Sequence, residues 1–512
     1  MKVFAPHMVD VYKLGHASMY TEGTDFLYSN LTPRSDHHFK GGKGFDHKMV
    51  VFGTQGSIME IVEDWNDSFF SQQKEKVIRS YTRRLNSVLG NGVVSPARMA
   101  ALHDIGYLPL EIKTIDEGAR IGMKIPMLTI KNTLPEFFWL VNYLETALSA
   151  QIWQMTTNAT IAYEYKRILV AAALRTGAAV EGVLFQGHDF SLRGMPGYVA
   201  GARSGSGHLS SFSGTDSLGS IDYIEDYYGE GLDLDAYFIA GSIPATEHAV
   251  SSSNILTRMK RMVETGAFNA DARLEAEKEF LLDYITRQNP TGFCSYVADT
   301  YDYWKVLTEI LPDAEVKAAI MARDGRLVIR PDSGDPLDII CGEDKAQEGS
   351  PEHKGSIQIL WETFGGTVNE AGFKELDSHI GLIYGDSITL ERADKITRKL
   401  EAKGFASTNV VLGIGSYTYQ CNTRDTFGTA MKATATAVNG EFFEIYKDPA
   451  TGDKLKQSAK GLLYVYRDNN GDFHLVDQVD EDTEKLGELK VRFKDGKFFN
   501  VENIDTIRKR LI

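Results

Sequence analysis

An arginine and an aspartate stand two residues apart where an apolar run stops: Leu327-Val328-Ile329 leads into Arg330-Pro331-Asp332-Ser333-Gly334-Asp335-Pro336. Val and Ile favour a pleated strand, the two prolines end it, and Gly334 permits a turn. At a strand end, a guanidinium and a carboxylate at this spacing can hold a phosphate together with a sugar hydroxyl or a Mg²⁺ ion. Taken alone, the same residues also suit an ordinary charged turn.

The pattern recurs, and recurrence points to the elements that must position it. Val183-Leu184-Phe185 leads into Gly187 to Gly194, and Tyr237 to Ala240 leads into Gly241-Ser242-Ile243-Pro244-Ala245-Thr246-Glu247-His248. Gly381 to Tyr384 leads into Gly385-Asp386-Ser387, and Val410 to Leu412 leads into Gly413-Ile414-Gly415-Ser416. Helical patterns from Ser253 to Glu264, Ala272 to Arg287 and Leu390 to Lys403 lie between several of these runs. Strands alternating with helices imply parallel βα units. In barrels of such units, residues just past the strand ends face one shared site. The fold class expected is therefore α/β, with an irregular βα barrel-like core.

A chain of 512 residues is too long for one ordinary domain, and its hydrophobic (43%) and charged (24%) fractions are those of a soluble globular enzyme. No apolar run approaches the roughly 18 to 20 residues that cross a bilayer. The first residues lack the apolar core of a signal peptide, so a cytoplasmic location is expected. A net charge of −15 argues against a nucleic-acid or anionic-membrane partner, so any anionic ligand must meet a local cluster of basic residues. Cys294, Cys341 and Cys421 have neither metal spacing nor a disulfide framework.

Outside the barrel, helical periodicity runs from Val50 to Trp65 and from Gln72 to Leu89, and the remaining signals are of strands. Leu110 to Ile115 and Met127 to Ile130 are strand candidates, as are Phe442 to Tyr446, Gly461 to Tyr466, Phe473 to Val479 and Leu489 to Phe493. Asn469-Asn470-Gly471 and Asp495-Gly496 are hairpin signals. Residues 31–147 and 421–512 are expected to form one discontinuous β-rich domain, with 1–30 and 148–420 forming the barrel. Thr133 and Pro135 open a helix, Asn158 is read as the cap of the next, and the charge run Asp477 to Glu484 as a solvated turn.

There is no Walker phosphate loop, zinc spacing or dinucleotide fingerprint. The residues resemble instead a known family, the nicotinamide phosphoribosyltransferases of the type II phosphoribosyltransferase fold. The resemblance rests on Asp10-Val11-Tyr12-Lys13, His188-Asp189-Phe190 with Arg193-Gly194, Gly214-Thr215-Asp216, Pro244 to His248, Asp299-Thr300-Tyr301-Asp302, Ile329 to Gly334, Gly385-Asp386, Thr423-Arg424-Asp425 and Lys447-Asp448-Pro449. They occur in family order from about Asp10 to Lys460.

The resemblance implies transfer of a 5-phosphoribosyl group from phosphoribosyl pyrophosphate to nicotinamide, in a homodimer whose active sites lie at the subunit interface. It implies that Phe190 stacks on one face of the base and Tyr12 from the partner subunit on the other. Asp216 would accept from the carboxamide and repel a carboxylate. Ser242, Ile243 and Ser295 would also line the substrate pocket, with Arg193 and Arg330 in the cleft. Asp332 would hold ribose hydroxyls or Mg²⁺, and Gly385, Asp386, Gly415 and Ser416 the 5-phosphate. Arg34, Arg424, Lys432, Lys447 and Lys456 would take the pyrophosphate or ATP. His248 resembles a histidine that ATP phosphorylates, with Asp299 orienting it, which makes ATP a coupled co-substrate. The family's turn has glycines where this chain has Ser416 and Tyr417, which narrows backbone approach to the phosphate.

Three alternatives stand beside this reading. A nicotinate phosphoribosyltransferase shares the fold, but Asp216 opposes a carboxylate substrate. A phosphosugar aldolase or isomerase needs a lysine or carboxylate base at a strand end, and no lysine lies just past the five principal runs. A non-catalytic binding protein on the same scaffold is opposed by the joint presence of Phe190, Asp216, His248, Arg330 and Asp332.

Overall fold

The computed structural model describes residues 3–268, 270–385, 387–447 and 458–512. The barrel core is a six-stranded parallel sheet. Across it the order is Gly214–Thr215, Gly187–Asp189, Val410–Ile414, Ile380–Tyr384, Leu327–Arg330 and Cys294–Val297. The two edges are joined by one extended segment, since Gly241 bridges Gly214 and Ala245 bridges Ser295, both in parallel sense. Ser295 N donates to Pro244 O (2.8 Å) and Thr246 N to Ser295 O (3.0 Å). The irregularity has a local cause: Pro244 has no N–H to give to a continuous ladder.

Three of the five apolar runs are core strands, and two are not. Val183–Phe185 ends a 3₁₀ helix, Val180–Phe185, and the strand forms from Gly187-His188-Asp189 immediately after it. Val183 is buried in the core, whereas Phe185 is half exposed. Gly187 allows close packing, because a Cβ there would stand 2.8 Å from the Phe212 ring. Tyr237–Ala240 forms no strand, and the residues after it make isolated bridges at Gly241 and Ala245. Asn158 caps nothing: it is buried in the middle of the 31-residue helix Glu145–Arg175, where its Nδ2 donates to Ser204 Oγ (2.7 Å). The apolar face runs unbroken through it, so nothing interrupts the helix there.

The second layer is a seven-stranded antiparallel sheet. Its order is Glu441–Glu444, Ala430–Val438, Thr24–Thr32, Leu128–Asn132, Leu110–Thr114, Lys490–Lys494 and Lys497–Phe498. The tail thus pairs with the early strands, as in the register Val491 to Lys113. Thr24–Thr32 lies inside this sheet, so a boundary at residue 30 cuts a strand. Asp495 (φ 48°) and Gly496 (φ 80°) make the two-residue turn whose positive φ values match strand twist.

The charge run is not one solvated turn. Asp477 belongs to the strand Phe473–Val479, and Glu484, in the helix Glu481–Lys485, is buried against Lys113 Nζ at 2.6 Å. A lysine pointing into the sheet packing needs that countercharge. Among the described residues, no helix is long and apolar enough to cross a membrane.

Candidate active site

All six core strands end at one mouth, where the expected residues form two groups. In the first, buried Asp189 fixes the turn after its strand. Its Oδ1 accepts from Ser191 N (2.9 Å) and its Oδ2 from the Thr215 hydroxyl (3.3 Å). Phe190 N donates to Ile414 O (3.0 Å), and the Phe190 ring lies 4.5 Å from His188, tilted by 39°. Asp216 follows Gly214–Thr215, and its backbone N–H donates to Asp189 O (3.0 Å). Asp216 Oδ1 accepts from His188 Nε2 (2.9 Å) and from the Ser242 hydroxyl. Burial opposes the charge on Asp216. The two hydrogen bonds, with the positive charges of His188 and Arg330, outweigh burial and hold its carboxyl below the usual range. The side chain remains 47% exposed, so an ionised acceptor is presented at the mouth. Ile243 lies in the closing segment that reaches Ser295 through Pro244 and Ala245, and among the described residues the buried Ser295 hydroxyl has no hydrogen-bond partner.

The second group surrounds His248, the first residue of the helix His248–Thr265. Its Nδ1 lies 3.2 Å from the Thr300 hydroxyl, and its Nε2 faces Asp299 Oδ1 at 3.8 Å and Asp332 Oδ2 at 3.7 Å. Asp299, 5% exposed, accepts at Oδ2 from Asp332 N (3.0 Å) and the Ser333 hydroxyl (2.5 Å). Arg330 donates from Nη2 to Thr246 O (3.1 Å), and its Nε lies 3.3 Å from Asp332 Oδ1 without hydrogen-bond geometry. Burial raises the Asp332 carboxyl, and Asp299 adds to this against the opposing charges of Arg330, His248 and Arg193. Among the described residues, Asp299 Oδ1, Asp332 Oδ1 and Arg330 Nε are buried without hydrogen-bond partners, an arrangement that suits a polar ligand. Among the described residues no group of three or more His, Cys, Asp or Glu could hold a metal. Two carboxylates do fit Mg²⁺, which keeps waters and takes substrate phosphate oxygens as further ligands.

Close backbone approach marks the third region. A Cβ on Gly194 would stand 2.0 Å from Ser416 Oγ, and one on Gly413 would stand 2.7 Å from Tyr384 O. Gly415 has extended backbone (φ −88°), which any residue adopts, and Ser416 packs toward the Arg193-Gly194 turn while Tyr417 points outward. Asp386 lies outside the described residues.

A separate set of cations gathers on the antiparallel sheet. Lys432 is lowered first by burial and then by the charges of Arg34, Lys447 and Arg424. Arg34 and Lys432 line a cavity of about 410 Å³ with Lys124 and Lys460. Lys456 lies outside the described residues. Tyr12, 62% exposed, contacts His16 (5.0 Å) and Lys13, and among the described residues it makes no ring contact with Phe190 of its own chain.

Sequence reasoning gave no role to His188, Thr300, His208 or Tyr419. His208 is fully buried beneath the mouth, with Nε2 3.1 Å from Gly214 O and Nδ1 2.7 Å from the Tyr419 hydroxyl. Since Gly214 O only accepts, Nε2 carries the proton and Nδ1 accepts from Tyr419. A histidine among the small residues of Tyr198–Leu209 was the available signal.

Residues 185–497 match the model of the nicotinate phosphoribosyltransferase (NAPRTase) family. The chain is 46% identical over 514 residues to a nicotinamide phosphoribosyltransferase of Acinetobacter baylyi, covering 98% of this chain and 96% of that protein. It is 33% identical over 484 residues to one of Mycoplasma pneumoniae, covering 89% and 96%. Among solved structures, human nicotinic acid phosphoribosyltransferase aligns with a TM-score of 0.52 at 15% identity, over 98% of this chain and 92% of that one. Nicotinate-nucleotide pyrophosphorylase from Pyrococcus furiosus aligns with a TM-score of 0.51 at 13% identity, over 100% and 95%. At such identities the two structures speak to the fold, which is that of the type II phosphoribosyltransferases. With the relatives' sequences, they make this chain a phosphoribosyltransferase that belongs to the nicotinate phosphoribosyltransferase family.

Proposed function

We propose that the enzyme transfers the 5-phosphoribosyl group of phosphoribosyl pyrophosphate to the ring nitrogen of nicotinamide, giving the mononucleotide and pyrophosphate. One observation carries the choice of base: Asp216 is an ionised acceptor, tethered by His188 and Ser242, at the mouth beside Phe190. It suits a carboxamide N–H₂ and repels a carboxylate. The curated relatives named for nicotinamide support the same choice.

The chemistry asks little of acid or base groups. The pyridine nitrogen already has a lone pair, which forms the bond to the anomeric carbon as the bond to the pyrophosphate oxygen breaks. That oxygen keeps the electron pair, and the sugar passes through an oxocarbenium-like state. Phe190 would hold the flat base. Arg193 and Arg330 would offset negative charge in the cleft, and Gly385, Asp386, Gly415 and Ser416 would receive the 5-phosphate. Asp332, with the free Asp299 oxygen nearby, would hold Mg²⁺ or ribose hydroxyls. Bound Mg²⁺ would supply neutralisation of the diphosphate.

Two further parts belong to this reading. Tyr12 would act across a homodimer, completing the base sandwich of the neighbouring subunit, and Arg34, Arg424, Lys432 and Lys447 would receive pyrophosphate or ATP. His248 would be phosphorylated by ATP, forming an N–P bond at the imidazole and releasing ADP, with Asp299 and Asp332 beside the ring. Breakdown of that phosphohistidine would drive synthesis forward.

The test is to incubate the purified protein with phosphoribosyl pyrophosphate and Mg²⁺, adding nicotinamide or nicotinate, with and without ATP. Mononucleotide from nicotinamide, increased by ATP, is the expected result. Product from nicotinate alone would overturn the base assignment, and no product from either base would leave a binding protein on this scaffold.

A further inference from the structure

The reading above uses His188 only as a tether of Asp216, yet the histidine is buried and closely confined in the base subsite. It is the middle residue of Gly187–Asp189, in register with Gly214 on one side and Gly413 on the other. Its ring is buried and confined on two sides. A Cβ on Gly214 would stand 2.8 Å from His188 Nδ1, and the Phe190 ring centroid lies 4.5 Å away. Its Nε2 reaches Asp216 Oδ1 at 2.9 Å. Because an ionised carboxylate only accepts, His188 donates this bond from Nε2.

The consequence concerns the two oxygens of Asp216. His188 and Ser242 both donate to Oδ1, which occupies that oxygen and leaves Oδ2 to face a ligand. Ser242 is exposed on the irregular closing segment, whereas His188 is buried in a strand. A half-exposed aspartate without the histidine would turn about its side-chain torsions and present either oxygen, or swing toward the positive charge of Arg330. Of His188 and Arg330, the two residues whose charge bears on Asp216, His188 is the one hydrogen-bonded to it.

We infer that His188 is a positioning residue that sets the enzyme's preference for an amide over a carboxylate on the pyridine ring, by clamping Asp216 so that its second oxygen meets the ring substituent. Its effect is on discrimination between bases rather than on the sugar phosphate. The inference rests on the nicotinamide reading of this site.

The experiment compares the full-length enzyme with His188→Phe, which keeps a ring against Gly214 and Phe190 but removes the donor, and with His188→Gln, which restores an N–H of similar reach. Separate kcat/KM values are measured for nicotinamide and nicotinate, with KM for phosphoribosyl pyrophosphate. In His188→Phe the nicotinamide-to-nicotinate ratio should fall at least tenfold, chiefly through a higher KM for nicotinamide. KM for phosphoribosyl pyrophosphate should stay within twofold. His188→Gln should recover the ratio to within threefold of the starting enzyme. If the phenylalanine variant does not fold, His188→Asn, polar but too short to reach Asp216, serves in its place with the same expected fall. An unchanged ratio, equal losses for both bases, or no recovery with glutamine would overturn the inference. A starting enzyme that prefers nicotinate would instead overturn the nicotinamide reading, whatever the variants do.

Discussion

Gly385 lies so close to Asp332 that a Cβ on the glycine would stand 2.0 Å from Asp332 Oδ1. The atom it would strike is the end of a side chain, so the fold can accommodate an alanine by turning the carboxylate away. Gly385→Ala should therefore leave the thermal midpoint within a few degrees while displacing Asp332 from Arg330 and His248. Misplacement of about 1 Å at a reacting centre costs on the order of 100-fold. We expect kcat/KM for phosphoribosyl pyrophosphate to fall by about 10- to 100-fold, and steady-state kinetics beside a melting curve would check it. A variant as active as the parent would remove Asp332 from the site.

Asp216→Asn keeps an oxygen that can accept from His188 and Ser242 but removes the charge. A hydrogen bond to a charged acceptor contributes roughly 1.5 to 3 kcal/mol, so nicotinamide use should drop by about 10- to 100-fold. The repulsion of a carboxylate is lost at the same time, and nicotinate use should rise. Parallel assays with the two bases decide the matter; a loss shared equally by both would show that Asp216 only shapes the pocket.

Glu484 and Lys113 make a test of the scaffold rather than the chemistry. Their side chains are 4% and 8% exposed and 2.6 Å apart. Truncating one partner strands a buried charge, at a cost of roughly 3 to 5 kcal/mol, whereas replacing both by apolar residues of similar volume is often near neutral. Urea unfolding should show Glu484→Ala destabilised by that order and the double change Lys113→Met with Glu484→Leu close to the parent. A single-variant cost below about 1 kcal/mol would mean that the pair behaves as if solvated.

These residues also show what could be read before the fold was known. Leu327–Arg330, Ile380–Tyr384 and Val410–Ile414 were legible because β-branched apolar residues end abruptly in glycine or proline. Asp495-Gly496 was legible because a two-residue turn demands those backbone angles. Gly187-His188-Asp189 was not, since its strand conformation comes from neighbours on both sides and not from its own propensity. Asn158 misled because a good capping residue can sit buried inside a helix, where its Nδ2 donates to Ser204, 46 residues away. At the site, Arg330, Asp332, Asp299 and His248 could be named from the chain, and the structure brings them together. The bond from His188 to Asp216 spans 28 residues and depends on which strand lies beside which.

His208 gives a pH dependence with a definite sign. Burial pushes its imidazole down from 6.5 to about 4, helped by the charge of His188 and opposed by Asp189. In the folded state the ring is neutral, while in the unfolded chain it takes a proton below about pH 6.5. The unfolded state therefore binds more protons between those values. Stability from this group is complete above about pH 6.5 and is lost as pH falls toward 4, a change on the order of 3 kcal/mol. His208→Gln should remove one proton's worth of slope from a plot of unfolding free energy against pH over that window. Equal slopes in parent and variant would show that His208 does not titrate between the two states.

His248 carries the last and sharpest expectation. It is half exposed (51%) at the start of its helix, with a 3.2 Å contact to Thr300 at one nitrogen and two carboxylates 3.7 and 3.8 Å from the other. A ring so placed is reachable by a phosphoryl donor, and the carboxylates can steady the positive charge that builds on it as the N–P bond forms. Arg330, Phe190 and Asp216 do not depend on it for their positions. His248→Ala should then retain basal transfer to nicotinamide while losing stimulation by ATP and the acid-labile label that ATP carrying a radioactive γ-phosphate leaves on the parent. His248→Asn should behave in the same way, since its amide matches the Nδ1 position that meets Thr300 but cannot be phosphorylated. Stimulation by ATP that survives in both variants would sink the phosphohistidine, and a label that survives with it would assign the phosphoryl group to a different side chain.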